Sequence, residues 1–125
     1  MYKILISLSS NVYSRLNIDR AKRMIKYIFP DIIYSKSVIT ISDEEKYTLP
    51  FRNVVGVFYS DMPLVEVNSR LINIEQTIGK NIRDKELGRV IININLLKYD
   101  KVILRTEELE RDYIQNLLQD LNEEV

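Results

Sequence analysis

Two amides sit in the middle of one of the chain's best strand candidates. The stretch RVIININLLKYD, residues 89–100, reads as a strand with Ile92, Ile94 and Leu96 on one face and Asn93, Asn95 and Leu97 on the other. Asparagine is depleted in strands, and two of them two residues apart point the same way. Each amide offers a carbonyl acceptor and an NH₂ donor but no charge. The pair therefore suits hydrogen bonding to a polar ligand, or simply a wet sheet face. Two charged segments complete the set of residues able to do chemistry. Asp43, Glu44 and Glu45 form an acidic run that can recruit a hard cation or face water. Lys80, Arg83, Lys85 and Arg89 can meet phosphate or make up a charged surface loop.

What is missing narrows the chemistry further. Among 125 residues there is no His and no Cys. Ser-His-Asp and Cys-His hydrolases are excluded, as are disulfides, thiolate chemistry and Cys-bound zinc. A metal here must be oxygen-ligated, such as Mg²⁺. Formal net charge is zero, so nothing global points to nucleic acid or an anionic membrane. No apolar run is long enough to span a bilayer. The opening MYKILISLSS reads as a buried first strand and not as a leader peptide, because Asn11 and Arg15 follow at once. The expectation is a cytoplasmic protein of one domain, residues 1–125.

These residues need elements to hold them. Residues 2–8 read as a strand, and the periodicity of Ile18, Ala21, Ile25 and Ile28 predicts a helix over 14–29. Residues 32–41 read as a second strand, 42–50 as a polar loop and 51–60 as a third strand. Asp61 and Pro63 open a second helix striped by Leu64, Val67, Leu71, Ile74 and Ile78, and Gly79 stops it. Residues 80–88 read as a charged loop before the Asn strand, with a short fifth strand at 101–104. Thr106 opens a last helix, with Leu109, Tyr113, Leu117 and Leu121 along its apolar side. The order β-α-β-β-α-β predicts an α+β, ferredoxin-like antiparallel sheet with helices on one face and a C-terminal helix added. Asn93 and Asn95 then lie on the open face.

This order, with the motifs on it, resembles the hydroxymethyl-dihydropterin pyrophosphokinases of folate biosynthesis, over about residues 4–99. ISLSSNVYSRL matches the family's strand, Gly-Ser-Asn and helix, with Ser9 in place of the Gly. FRNVVGV matches its Leu-Asn-x-x-Val strand, IEQTIG its Ile-Glu-x-x-x-Gly helix motif, and Asn93-Ile94-Asn95 falls on its Asp-Leu-Asp. The resemblance implies pterin contacts at Thr40 and Asn53. It implies nucleotide contacts at Glu75, Lys80, Arg83 and Arg89, and metal positions at Asn93 and Asn95. Mg²⁺ and ATP would be the cofactors of an active member, which moves a diphosphate from ATP to the pterin hydroxyl. One ring among Tyr47, Phe51, Phe58 and Tyr59 could stack on the pterin, with core packing expected for Phe58. Each residue also has a plainer reading: Asn53 bonded to the neighbouring loop backbone, Thr40 an ordinary strand residue, Glu75 an exposed helix position.

The chain departs from the family where the chemistry is. The two metal-binding Asp are Asn, and at about 4 Å with an effective dielectric of about 20 each lost ion–carboxylate attraction is several kcal/mol before desolvation. Within the loop motif Lys80 and Ile82 replace two Arg, Leu87 replaces Trp, and Arg89 and Val90 replace Pro and Arg. The family's Pro-His-Pro cannot be present. The sequence thus predicts a degenerate, catalytically weak or inactive homologue that binds a pterin or nucleotide, or an unidentified protein partner. A divergent active pyrophosphokinase, holding metal through Asn carbonyls or residues 43–45, is the alternative. A small regulatory or oligomerisation domain that forms a homo-oligomer is a second. An open pocket over Asn53, Asn93 and Asn95 would separate a surviving binding site from a mere scaffold.

Overall fold

The computed structural model describes residues 1–79 and 82–123, with residues 82 and 85 described by backbone alone. Among the described residues six strands and five helices follow in order: β1 (Tyr2–Ser10), α1 (Ser14–Ile28), β2 (Ile33–Tyr34), β3 (Val38–Thr40), β4 (Phe51–Ser60), α2 (Leu64–Ile78), α3 (Ile82–Glu86), β5 (Asn93–Tyr99), β6 (Val102–Ile103), α4 (Thr106–Leu109) and α5 (Asp112–Asp120). The chain is α+β, with one antiparallel sheet ordered β2-β4-β1-β5-β6 and β3 also paired to β4. Among the described residues no helix is long and apolar enough to cross a membrane.

The alternating apolar residues of β1, β4 and β5 give the sheet two buried faces. On one, Ile4, Ile6, Leu8, Val54, Phe58, Ile92, Ile94 and Leu96 pack against Ile18, Ala21 and Ile25 of α1 and Val67, Leu71 and Ile74 of α2. Phe58 is fully buried and stacks on Phe29 at 4.2 Å between centroids, the core role expected of it. On the other face Leu5, Val55, Val57 and Leu97 pack against Leu109, Ile114, Leu117 and Leu118. This corrects the expectation of helices on one face only. The C-terminal segment covers half of the face expected to be open.

Several element boundaries differ from expectation: β1 runs on to Ser10, α2 starts at Leu64 with Pro63 and not Asp61 at its N-cap, and β5 starts only at Asn93; the other differences have a local reason. The second strand is split: Tyr34 faces Gly56 but Val38 faces Asn53, so four steps along the edge match three along β4. One extra residue makes a bulge, which reverses the side to which later residues point. Tyr34 accordingly packs with the α1 and α2 side, whereas Val38 packs with the C-terminal helices. Ser35 holds the break. Its backbone amide donates to Val55 O at 2.9 Å, and its Oγ accepts from the Val55 amide at 3.0 Å.

The charged loop contains the short helix α3, closed by Gly88 at φ 73°. The Arg89 amide donates to Asp84 O at 2.8 Å across that turn, a common helix-ending bond. The last helix breaks in two at Arg111, where the backbone is extended and Gln115 Nε2 donates to Leu109 O at 2.6 Å. The break buries Leu109 and Ile114 together and leaves Tyr113 half-buried at the edge of that core. The hairpin strand β6 adds to the β5 edge only at Lys98 and Tyr99.

Candidate functional site

Strand register sets out the polar residues in rows on the sheet face that the C-terminal helices half cover. Ser9 of β1 lies opposite Asn53 of β4 on one side and opposite Asn93 of β5 on the other. One row further along, Ser7 lies between Val55 and Asn95. Beyond these, Leu5 and Val57 face each other under α5. The same face is thus apolar at one end, where a helix roofs it, and amide and hydroxyl at the other. Over the polar end lies a cavity of about 670 Å³ lined by Ser9, Thr40, Asn53, Asn93 and Asn95. The pocket over the three asparagines is open.

Asn53 is the best fixed of these side chains. It is buried, and its Nδ2 donates to Thr40 Oγ1 at 2.9 Å and to Val38 O at 3.2 Å. Because a backbone carbonyl only accepts, this end of the amide must be the nitrogen. Thr40 reaches Asn53 only because the bulge turned β3 over. In an unbroken strand Thr40 would share a face with Tyr34. Asn53 thus ties down the adjacent edge backbone, and the same residue lines the cavity.

The walls come from four segments. Asp43, Glu44, Tyr47 and Phe51 supply one side, with Tyr47 edge-on to Phe51 at 5.3 Å between centroids. Asp84, Arg89, Val90, Ile91 and Ile92 supply the opposite one. Asn11 holds this second wall against the end of β1. Its Nδ2 donates to Gly88 O at 2.9 Å, and its Oδ1 accepts from the Val90 amide at 2.6 Å. Gly88 is a true requirement, since a Cβ there would fall 1.9 Å from Lys46 O on the facing loop. The last wall is the C-terminal segment, with Glu108, Arg111, Asp112 and Tyr113. Glu108 accepts from Tyr113 OH at 3.2 Å and pairs with Arg111 Nε at 3.3 Å. Burial first, and then the Glu108 charge, push the Tyr113 phenol up to about 12.

Of the residues singled out in the sequence, Thr40, Asn53, Arg89, Asn93 and Asn95 meet at this cavity. Arg83 is exposed and is not among the lining residues, and Lys80 lies outside the described residues. Glu75 is neither exposed nor in the cavity wall. It is buried on α2, and its Oε2 accepts from the Ile94 amide at 2.7 Å, on the edge of β5 that no strand covers there. Tyr47 and Phe51 line the cavity, whereas Tyr59 is exposed away from it.

Ser9 and the C-terminal wall were missed by sequence reasoning. Ser7 and Ser9 alternate with Ile6 and Leu8 in the same pattern as the asparagines, a signal that could have placed them together. Nothing in an amphipathic C-terminal helix says which face of the sheet it covers.

The donor set does not fit the magnesium pair of the pyrophosphokinases. Asn93 and Asn95 bring neutral carbonyl oxygens where a metal clamp uses carboxylates. Asp43 and Glu44 line the same cavity, but among the described residues no three acidic side chains converge as a metal-binding group. No protein-family model matches the chain, and no curated protein matches it.

Proposed function

We propose that the protein is a divergent relative of the hydroxymethyl-dihydropterin pyrophosphokinases that binds a neutral, pterin-like heterocycle and does not transfer diphosphate. The observation that carries this reading is the open cavity floored by Asn53, Asn93 and Asn95. A ferredoxin-like arrangement is supported by the strand order. If β2 and β3 count as one bulged edge strand, the order is second, third, first, fourth, with β6 added at the end. A flat heterocycle carrying amino, ring N–H and carbonyl groups matches the amide and hydroxyl floor. Asn53 Nδ2 is engaged by Thr40 and Val38, so Oδ1 is the end of this amide offered to a ligand donor.

Charge argues against ATP as the natural ligand. Five carboxylates line the cavity among the described residues (Asp43, Glu44, Asp84, Glu108 and Asp112) against two guanidiniums, Arg89 and Arg111. Glu108 is paired with Arg111 and Asp84 has a partner of its own, so a triphosphate placed there without a metal clamp meets repulsion from Asp43, Glu44 and Asp112.

The test is calorimetry with hydroxymethyl-dihydropterin and, separately, with Mg²⁺–ATP, beside an assay of AMP release. The pterin should bind, Asn53→Leu should abolish that binding, and neither ATP binding nor AMP release should be detected. Pterin-dependent AMP release by the parent protein would overturn the reading in favour of an active pyrophosphokinase. If AMP is released only by an Asn93→Asp, Asn95→Asp double variant, the pocket is intact and the missing carboxylates are the cause of inactivity.

A further inference from the structure

The bulge that turns Thr40 toward the cavity also leaves a notch on the opposite face of the sheet. This second cavity, about 220 Å³, lies between α1 and the 35–37 segment. Arg15, Lys22, Lys36 and Arg52 line it, with Asp19 as its one carboxylate. Its volume is many times the roughly 10–15 Å³ that one water requires on a comparable measure.

We propose that this notch binds a phosphate dianion, free or as a phosphomonoester. Arg52 is held in place for such a role. Its Nε donates to Ser14 Oγ at 3.3 Å and its Nη1 to Ser37 Oγ at 3.0 Å. These two bonds use a minority of the donors a guanidinium carries. Among the described residues Arg15, Lys22 and Arg52 form no ion pair, while Lys36 meets Asp120 at 3.1 Å. The Lys22 ammonium lies 5.0 Å from the centre of the Tyr34 ring, which keeps it beside the notch. With Lys36 neutralised by Asp120, Arg15, Lys22 and Arg52 against Asp19 still create a local positive potential that a dianion relieves. A guanidinium anchored through neutral hydroxyls presents its remaining N–H groups in the fixed fork that phosphate oxygens match. The site stands apart from the heterocycle cavity and does not depend on what binds there.

The experiment is an amide NMR titration of the intact chain with inorganic phosphate and with methyl phosphate, using chloride at equal ionic strength as the blank. Saturable shifts confined to residues 14–22, 35–37 and 52 are expected. Arg52→Ala should weaken binding about tenfold, the loss of one charge-assisted contact, and Arg15→Gln with Lys22→Gln should do the same without touching the sheet. Lys101→Ala, on the far hairpin, should leave it unchanged. Saturation by both anions supports a phosphomonoester site, and saturation by phosphate alone supports a site for the free ion. Non-saturating shifts, or saturable shifts that persist in both the Arg52→Ala and the double variant, would overturn the proposal.

Discussion

At the scale of single residues, the polar groups under the cavity do structural work that can be measured apart from binding. Asn53→Ala removes the partner of Thr40 Oγ1 and Val38 O. It should lower unfolding free energy in urea by about 1–3 kcal/mol. Thr40→Val, which leaves the Val38 bond in place, should cost less in the same assay. Glu75 offers a sharper contrast. Glu75→Gln keeps an oxygen for the Ile94 amide, whereas Glu75→Leu leaves that buried edge N–H without its acceptor. The Leu variant should therefore be the less stable by about 1–3 kcal/mol. The sequence showed Glu75 as a polar residue beside a stripe, or by resemblance as a nucleotide contact. Its burial was hidden because the need it meets, an uncovered strand amide, belongs to β5. Tyr113 supplies a pH test. Its folded-state pKa is raised from 10.0 to about 12, so the folded state holds the phenol proton more tightly than the unfolded chain does. The associated stability is complete below about pH 10 and is lost as pH rises through about 12. Urea midpoints taken across that window should fall less steeply in Tyr113→Phe.

At the scale of elements, alternation and helical periodicity made the strands and the two long helices legible, because one buried face imposes one period. The breaks were not legible. Ser35-Lys36-Ser37 sits inside an apolar run, and a strand pattern read from one chain cannot show that its partner is one residue short. Likewise the spacing of Leu109, Tyr113, Leu117 and Leu121 fits one continuous helix. Burial of Ile114 with Leu109 selects the broken one. The bulge can be tested by deleting Lys36. Removing one residue restores a continuous register and turns Val38 and Thr40 to the other side. Val38, half-buried against that core, then leaves it, a loss of about 1 kcal/mol, and the Thr40–Asn53 bond goes with it. Denaturation of the deletion variant should show at least that destabilisation, and the heterocycle binding proposed above should disappear.

For the whole molecule, the central strands β1, β4 and β5 carry side chains into both cores, so neither layer has a sheet of its own. Leu5 and Leu97 face the C-terminal helices, while their neighbours Ile4 and Leu96 face α1 and α2. Leu97→Ala and Ile94→Ala, each costing about 2–5 kcal/mol, should shift one and the same transition, seen alike by circular dichroism and tyrosine fluorescence. A separate early transition in Leu97→Ala would show that the C-terminal helices come away alone. At this scale the sequence carried the α+β class and the antiparallel sheet. It could not carry the second covered face, because amphipathicity states that a helix has an apolar side and not what that side meets.

Among the described residues, the edge formed by β2 and β3 pairs with β4 and with no other strand. It nonetheless supplies Thr40 to one side of the sheet and Ser37 to the other. A point mutation in the gene alters one side chain at a time, but gain or loss of a single codon between those for Tyr34 and Val38 exchanges the whole set of side chains presented on each side. Descendants of this gene could thus acquire a new ligand preference in one in-frame step, at the margin of the sheet where the rest of the architecture is least disturbed.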